Sequence, residues 1–598
     1  MIKKKLIKTK FDINKRVENN EEYTFLGNHC NFFDYKNNLL NDYCKIENQF
    51  WKKYENFLSD YNYLDKLYNK ILDNLVISLN KFHKIEKKIN FWEVIIGPWI
   101  MTFCINLYDK WKISETHAEN QNLYTEILSN IDNNFNFLSI EDYKRKISQD
   151  YYNHILFSKI FLFLDKNNKC KLDIVKLLEK NENVGIVVKE DIKKNLRFKQ
   201  LIGNLKKIFK KFFLKFYSKL TRNNKIIIMR NYLGFYNNLK LNLSLKQLPC
   251  FYIHNLETEN LTENKSRKDF KINFKCDNLF EKFLLEELVH HIPKTFLEKF
   301  DFLCDEIIKS NLPLNPKNVF ITNFQSNTFL SFYIGLSREK GAKLFSGQHG
   351  GCVGQYDKHW GEDFEIKVSD KYFSYGWNSN KFPDKIIPIG FLKPIKTVKF
   401  SLFKKKRDIL LMIKARQKYI HKLDSANRSS HNFKYIDNIF LLINNLNCNL
   451  KKNLKIRLRD QDLGWHEHQR FQLKFPNLRF DFGEKNIFEL MRNSKIVLST
   501  NLGTSYLESL AMNIPTIIIT NYELEPIRDD SKPLLKLLID SKILHLNPLS
   551  AAQHINSVYD NIESWWLNKT TQQNIKFFCN TYAKINNNIN NDLKIILK

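Results

Sequence analysis

The sequence predicts an α/β protein with two Rossmann-like lobes and a large helical elaboration in front of them. Two stretches, 223–394 and 408–560, each alternate short β-branched runs with helical patterns, which is typical of parallel sheets. The third observation is size: 598 residues exceed one domain of roughly 100–200 residues. Hydrophobic residues make up 43% of the chain and charged residues 27%, which excludes a globally disordered protein.

The N-terminal segment, 1–222, is predicted to be the helix-rich part of the first lobe. It begins with a strand at Glu22–Gly27 and continues in helical stretches such as Tyr61–His83. Its longest apolar run, Val94–Tyr108, is broken by Gly97-Pro98 and falls short of the roughly 20 residues that a bilayer-spanning helix needs. We therefore expect no membrane span in this run.

The end of that segment, 198–222, has an apolar stripe at helical spacing, lysines on the other face and no acidic residue. Such a helix can lie in the headgroup region of an anionic membrane. The alternative is an ordinary packed helix whose polar face is rich in lysine because the whole chain is. Both interpretations stay open on sequence alone.

The first α/β stretch, 223–394, is predicted to be an acceptor lobe. Its strands and helix are expected at Lys225–Met229, Asn318–Thr322, Asn327–Glu339 (helix) and Ala342–Gly347. Ligands of parallel sheets bind beyond the carboxyl ends of the strands. The glycine-rich loop Gly347–Gly354 follows one such end, so we expect it to border a site.

The second α/β stretch, 408–560, follows a basic linker at 395–407 and is predicted to be a nucleotide-binding donor lobe. Strands are expected at Asp408–Ile413, Leu454–Leu458, Ile496–Ser499 and Thr516–Thr520, and helices at Asn432–Leu446, Asn486–Arg492 and Ser505–Met512. The remaining residues, 561–598, read as C-terminal helices. Two such lobes would face each other across a cleft.

The donor site is predicted where a buried strand turns into a helix. Gly503, Thr504 and Ser505 offer N–H groups, hydroxyls and a helix dipole to a phosphate. Glu508, one turn later, could accept hydrogen bonds from the hydroxyls of a ribose. The alternative is structural, because Ser505-x-x-Glu508 also matches a capping box.

The loop Gln348-His349-Gly350-Gly351 is the predicted acceptor and catalytic element. Its glycines let the backbone approach a ligand closely. The His349 imidazole could take a proton from an acceptor hydroxyl or donate one to a phosphate. Asp363 or Glu362, in a run of potential bases that also includes Asp357, His359 and Glu365, could orient His349 or replace it as the base; a solvated loop is the alternative. A single histidine can also be a mere structural hydrogen-bond partner.

Basic residues follow two predicted strands of the donor lobe. Arg457 and Arg459 alternate by two and could bind phosphate, as could Lys414 and Arg416 after the preceding strand. Solvated edge charges are the alternative. No histidine pair has metal-ligand spacing and no P-loop or G-x-S-x-G motif occurs, so we expect neither a metal nor a cofactor.

Several landmarks occur together: FLGNHC (Phe25–Cys30), IIGPW (Ile95–Trp99), FSGQHGG (Phe345–Gly351), Glu362–Trp377 and GTSYLESLAMNIPTI (Gly503–Ile517). The last resembles the donor signature of GT-B glycosyltransferases. Over nearly its full length the sequence resembles a family of bacterial surface-polysaccharide transferases, although Asn28-His29 depart from the family pattern. The resemblance implies a GT-B-like fold and a metal-independent transfer from a nucleotide-sugar to a surface-polysaccharide or lipid-linked glycan acceptor.

Three alternatives remain at this point. A related enzyme could transfer a polyol phosphate instead of a sugar. The net charge of +31 would suit a nucleic-acid-binding protein, but no nucleic-acid module is recognisable, so we expect no specific nucleic-acid partner. A non-catalytic membrane scaffold is the third. Ten cysteines without a C-x-x-C pair and no secretory signal favour a cytoplasmic protein, peripheral at the inner membrane face through 198–222.

Overall fold

Three parallel sheets organise the chain, and the names acceptor lobe (223–394) and donor lobe (408–560) refer below only to the roles predicted for the second and third of them. The computed structural model describes residues 3–12, 22–31, 33–34, 39–40, 51, 53–128, 131, 135–177, 217, 219–250, 266–310, 312–399, 406–426 and 429–598. The basic segment 198–222 lies almost entirely outside the described residues, so the prediction of an amphipathic helix there stays a prediction.

The N-terminal segment contains a small parallel sheet of its own. Its strands are β1 (Lys4–Ile7), β2 (Tyr23–Phe25), β5 (Leu123–Leu128) and β6 (Asp173–Leu177), in the order β2-β1-β5-β6. A short antiparallel pair, β3 (Phe33–Asp34) and β4 (Leu39–Leu40), follows β2. The sequence predicted β2 alone, because the other strands are short and mix lysine or acidic residues with the apolar ones.

Four helices cover this sheet and connect it to the rest. They are α1 (Tyr54–His83), α2 (Ile89–Ala118), α3 (Ile140–Lys146) and α4 (Asp150–Lys166). Helix α2 contains the apolar run Val94–Tyr108 and continues through Gly97-Pro98 without interruption. By length and composition α2 could cross a membrane, but its most apolar window is 100% buried inside the protein. Burial on all sides outweighs the roughly 3 kcal/mol cost of an internal proline.

The acceptor lobe is a five-stranded parallel sheet with helices on both faces. Its strands are β7 (Ile226–Met229), β8 (Asn318–Ile321), β9 (Lys343–Gly347), β10 (Lys371–Phe373) and β11 (Ile386–Ile387), in the order β11-β10-β9-β8-β7. Its helices are α5 (Gly234–Ser244), α6 (Leu279–His291), α7 (Phe300–Lys309), α8 (Thr328–Glu339) and α9 (Trp360–Val368). Helix α2 packs against α8, so the N-terminal segment and this lobe share one hydrophobic core.

The donor lobe is a six-stranded parallel sheet. Its strands are β12 (Ile409–Met412), β13 (Leu454–Arg457), β14 (Arg479–Asp481), β15 (Ile496–Ser499), β16 (Thr516–Ile519) and β17 (Leu544–His545), in the order β14-β13-β12-β15-β16-β17. Its helices are α10 (Asn432–Asn444), α11 (Cys448–Asn453), α12 (Glu467–Lys474), α13 (Ile487–Asn493), α14 (Thr504–Ala511), α15 (Lys532–Asp540) and α16 (Pro548–Val558). The strand order reverses between β12 and β15, and such switch points open a crevice for ligands.

The C-terminal helices, α17 (Ile562–Trp566), α18 (Lys569–Tyr582) and α19 (Ile589–Leu597), tie the two lobes together. Helix α18 packs on α14 and α15 of the donor lobe, whereas α19 packs on α5 of the acceptor lobe. Ile589, Leu593 and Leu597 join Phe320 and Phe345 in the core of the acceptor lobe. The fold class predicted from the sequence, two Rossmann-like lobes in a GT-B-like arrangement with an N-terminal elaboration, is confirmed.

The segment after β12, residues 413–426, leaves the donor lobe and crosses to the N-terminal helices. Lys418 Nζ and the Tyr419 hydroxyl both donate to Oδ1 of Asp150 at the start of α4, at 2.8 and 2.5 Å. Further on, Ser425 N–H donates to the carbonyl of Lys358 in front of α9, at 2.9 Å. We call residues 413–426 the crossing loop; it touches all three parts of the protein.

Candidate functional site

The carboxyl edges of the acceptor and donor sheets meet directly. The N–H of Gly351, after β9, donates to Oγ1 of Thr504, at the start of α14, at 3.0 Å. A Cβ added at Gly351 would collide with the carbonyl oxygen of Gly503, so only glycine allows this approach. The structure thus brings the predicted acceptor loop and the predicted phosphate loop into contact.

A clamp beside this contact holds the lobes together. The Arg528 guanidinium of the donor lobe donates to Glu362 Oε1 on α9 at 2.6 Å and to the carbonyl of Tyr356 at 2.9 Å. The second carboxylate oxygen of Glu362 accepts from Gly354 N–H at 2.9 Å. Because Glu362 is buried and fully engaged, we assign it to holding the lobes rather than to proton transfer.

Gln348 shapes the acceptor loop from inside. Its Oε1 accepts from the N–H of Tyr375 and from Nε1 of Trp377, both at 2.8 Å. Its Nε2 donates to the carbonyl of Gly350 at 2.7 Å. Since the side chain is fully buried, its contacts fix the loop in which His349 stands.

His349 lies beside Glu365, one of the potential bases that follow its loop in the sequence. Its Nδ1 is 3.7 Å from Oε2 of Glu365, and both line a cavity of about 70 Å³ with Gln325 and Lys422. Among the described residues, neither His349 Nδ1 nor Glu365 Oε1 has a hydrogen-bond partner. Two buried polar atoms directed into one cavity mark a place that a ligand can complete.

Burial sets the protonation of this pair. It lowers the pKa of His349 to about 4, with Lys422 and His359 adding to the effect. It raises the pKa of Glu365 to about 8. At neutral pH the imidazole is therefore neutral and the carboxyl carries the proton. Perturbations of this size are typical of catalytic groups.

Asp363 does not join His349. Its Oδ2 accepts from the Tyr61 hydroxyl at 3.3 Å and from Lys381 Nζ at 2.8 Å, on the side of α9 that faces α1. Positions 363 and 365 are about 200° apart around a helix, so they face opposite ways. The predicted partnership of Asp363 with His349 is wrong, because residues 360–368 form a helix whose rotation turns Asp363 away from His349.

Glu508 is buried at the junction of the lobes. Its Oε1 accepts from Nζ of Lys393, which follows β11 in the acceptor lobe, at 2.7 Å. Burial raises its pKa, and Lys393 opposes that effect. Helix α14 has Gly503 as its N-cap and no side-chain cap, so the capping-box alternative for Ser505 and Glu508 is wrong. Ser505 lies half-buried in the first turn of α14.

The predicted arginines stand away from the switch point. Arg457 is paired with Asp481 of β14 and with the carbonyl of Lys485 at 3.1 Å. The side chain of Arg459 is 52% exposed, and its nearest carboxylate is that of its neighbour Asp460, at 3.8 Å. Neither faces the cleft between β12 and β15, and phosphate binding by them stays a prediction that nothing tests.

Lys414 and Arg416 occupy the switch point instead. Lys414 Nζ is 2.8 Å and Arg416 Nη2 3.3 Å from Oε1 of Glu525, and the Arg416 guanidinium lies 4.7 Å from the ring centre of Tyr435. Although burial opposes it, the two cations hold the pKa of Glu525 below its usual value. The sequence showed that Lys414 and Arg416 follow the first strand of the donor lobe. The order of the strands in the sheet, which places these residues at the switch point, could not be predicted from sequence.

Strained backbone marks the neighbouring strand ends of the acceptor lobe. Arg230 and Tyr232 after β7 have φ of 47° and 60°, and Asn323 after β8 has φ of 50°. Left-handed non-glycine residues each cost of order 1 kcal/mol and cluster at functional sites. The Arg230 side chain is exposed, and its charge contributes to lowering the pKa of His349. Sequence reasoning missed all three.

No group of three or more His, Cys, Asp or Glu side chains suited to a metal occurs in the part of the chain that the structure describes. The expectation of a metal-independent reaction without a cofactor stays a prediction.

Solved structures with a similar chain path include three sugar-nucleotide proteins. One is described as a UDP-N-acetylglucosamine 2-epimerase from Listeria monocytogenes (10% identity, TM-score 0.32, 49% of this chain and 75% of that one). The others are a UDP-glucosyltransferase from Polygonum tinctorium (9%, 0.29, 54% and 83%) and UGT2 from Phytolacca americana with UDP-2-fluoro-glucose (10%, 0.29, 53% and 80%). Similarities this low add nothing to what the sheets themselves show.

No curated protein matches the sequence. A model of the LIC12162 family transferases, in contrast, matches residues 9–597, which is nearly the whole chain. The two facing α/β lobes and the site between them therefore belong to a transferase of the LIC12162 family.

Proposed function

We propose that this transferase moves a sugar from a nucleotide-sugar to a surface-polysaccharide or lipid-linked glycan acceptor. The observation that carries the proposal is the meeting of the two carboxyl edges, where Gly351 of one lobe contacts Thr504 of the other. The candidate phosphate-binding helix start thereby lies next to the loop that carries the candidate base His349, and the buried carboxylate of Glu508 belongs to the same helix.

The donor would bind along α14. Gly503, Thr504 and Ser505 present N–H groups and hydroxyls to a phosphate. Glu508 would accept from the ribose hydroxyls after Lys393 has turned away. Lys414 and Arg416, at the switch point, would offset the charge that grows on the leaving nucleotide.

The acceptor would be activated by the His349–Glu365 pair. A neutral imidazole takes the proton of the acceptor hydroxyl while that oxygen forms its bond to the anomeric carbon. The bond from that carbon to the phosphate oxygen breaks, and its electron pair leaves with the nucleotide. Glu365, which lies next to Nδ1, would orient the imidazole and interact with the imidazolium as it forms. It is therefore a positioning residue.

A thermal-shift series with UDP-, GDP-, CMP- and CDP-linked compounds tests the donor half of the proposal. We expect one nucleotide class to raise the melting temperature by an amount that grows with the logarithm of ligand concentration above its Kd. Mass spectrometry of the product then separates sugar transfer from polyol-phosphate transfer. If no nucleotide compound shifts the melting temperature, the proposal is wrong.

We further propose a cytoplasmic location at the inner membrane face, supported by the lysine-rich sequence of 198–222. Sedimentation with vesicles of phosphatidylglycerol and phosphatidylcholine tests it. Reversing the charges of the lysines between 206 and 215 should reduce recovery with anionic vesicles only, and unchanged recovery would contradict the proposal.

A further inference from the structure

A second, larger cleft lies on the other side of α9 from the His349 cavity. It has a volume of about 580 Å³ and runs between α1, α9 and residues 379–382, with Arg528 of the donor lobe at one end. Trp360 and Glu362 line both this cleft and the His349 cavity. We call it the α1/α9 cleft; only the first turn of α9 separates it from the candidate base.

Charge in this cleft is balanced, unlike the charge of the protein. The lining has five carboxylates and four cations, in a chain whose net charge is +31. All four cations are already paired: Lys358 with Asp357 at 3.8 Å, Lys367 with Glu93 at 2.6 Å, Lys381 with Asp363 at 2.8 Å and Arg528 with Glu362 at 2.6 Å. A nucleotide or another polyanion would meet little free positive charge there.

The rest of the lining suits a polyhydroxylated ligand. Asn62, Asn69 and Ser379 can donate to and accept from hydroxyls, and Asp65 can accept from them. Asp65 is exposed on α1, so its carboxylate is accessible to a ligand hydroxyl.

Aromatic rings form part of the walls. Lys358 Nζ lies 5.9 Å from the ring centre of Tyr61, and Lys367 Nζ lies 5.8 Å from that of Tyr68. Lys367 is also paired with the buried Glu93, so it is expected to stay in place, whereas the contact of Lys358 with Tyr61 is a weak cation–π contact near the surface. A ligand with apolar C–H faces can therefore take the place of the Lys358 end on the Tyr61 ring.

We propose that the α1/α9 cleft binds the neutral oligosaccharide portion of the acceptor, behind the hydroxyl that His349 activates. The inference deepens the proposed function and rests on it for the identity of the acceptor. The proposal also assigns a function to the N-terminal segment, because α1 forms one wall of the cleft.

A glycan array carrying neutral and sialylated oligosaccharides, probed without nucleotide, tests the proposal. Wild-type protein should be retained by neutral glycans. Asn62→Trp places a large ring on the exposed wall of α1 and should reduce that signal at least tenfold, and Asp65→Arg should do the same. Gln121→Trp, an exposed polar residue after α2, is the matched control and should bind like the wild type.

Retention by sialylated glycans alone, no retention at all, or undiminished binding by both cleft variants would overturn the proposal. Thermal shift with nucleotide-sugars is measured on the same variants and should be unchanged. If the donor half of the proposed function fails instead, nucleotides cause no shift in the wild type while neutral glycans are still retained, so the two failures are distinguishable.

Discussion

Nζ of Lys393 donates a 2.7 Å hydrogen bond to Oε1 of Glu508, joining the end of the acceptor sheet to the second turn of α14. The carboxylate that is proposed to hold a ribose is thus held by a lysine in the structure. In the proposed complex, ribose hydroxyls would replace Lys393 as hydrogen-bond donors to Glu508, and donor binding must then compensate for the loss of the cationic partner.

Glu508→Gln is expected to weaken nucleotide-sugar binding at least tenfold, which corresponds to about 1.4 kcal/mol. The glutamine amide has nearly the same shape as the carboxylate, but it can accept a hydrogen bond from one ribose hydroxyl fewer and it carries no charge. Isothermal titration calorimetry measures the affinity, with Glu489→Gln on the exposed face of α13 as control. Equal affinity in both variants would remove Glu508 from the donor site.

Lys393→Met should destabilise the protein more at pH 8 than at pH 5. The folded pKa of Glu508 is already raised by burial, and loss of Lys393 raises it further. A carboxyl group with a raised folded pKa binds an extra proton in the native state, so stability falls as pH rises through that window. Melting temperatures at the two pH values give the result; an equal deficit at both would show that the pair is not buried in solution.

Glu365→Gln should flatten the pH dependence of transfer and stabilise the protein at high pH. With Glu365 at a pKa of about 8, the basic form of the pair accumulates above that pH, so wild-type activity should rise up to it. Because this folded pKa is raised from 4.5, wild-type stability is lost between pH 4.5 and 8. The variant should therefore melt higher than the wild type at pH 8 and equally at pH 4.5.

A pH–rate profile of kcat/KM and melting curves from pH 4.5 to 9 check both effects. His349→Ala should abolish transfer at every pH and leave donor affinity unchanged. Retained activity in His349→Ala would exclude it as the base.

Gly351→Ala should lower transfer at least a hundredfold, because its Cβ collides with the backbone of Gly503 and forces the loops apart. Gly350→Ala is the matched control, since its Cβ would meet Thr504 Oγ1 only at 4.0 Å. Steady-state rates of the two variants give the comparison. Similar rates would mean that the contact between the loops is dispensable.

Arg230→Gly should raise the melting temperature and lower kcat/KM. Glycine removes a left-handed strain of about 1 kcal/mol but also removes an exposed guanidinium near His349. Lys84→Gly, at the left-handed C-cap of α1, should be stabilising without affecting activity. If Arg230→Gly keeps full activity, the strained turn after β7 has no part in the reaction.

Seven of the eleven strands of the two lobes could be predicted because they are buried, mostly β-branched runs, whereas β10, β11, β14 and β17 were not predicted. Ile496–Ser499 agrees with its prediction to the residue, and most other strands agree within one residue at each end. The strands of the N-terminal sheet other than β2 could not be predicted, since strands such as β1 and β6 are too short and too polar to show a hydrophobic periodicity. Helix α9 was not predicted, because its many charged residues are also typical of a solvated loop.

Only those parts of the candidate site that lie within one local sequence motif could be predicted. The contact between Gly351 and Thr504 joins two such motifs, although their adjacency is a property of the folded lobes. Arg416 became a central residue through the strand order, and Glu365 through the rotation of α9. Arg230 carries its strain in a backbone angle that no side-chain pattern reveals.

The crossing loop has a kinetic consequence. Lys414 and Arg416 sit at one end of it, Lys418 and Tyr419 anchor it to α4, and Lys422 lines the His349 cavity. In the proposed reaction the lobes would have to separate to release the nucleotide product. This movement would break the hydrogen bonds of the crossing loop to Asp150. We expect departure of the product, rather than bond making, to limit the turnover of this enzyme.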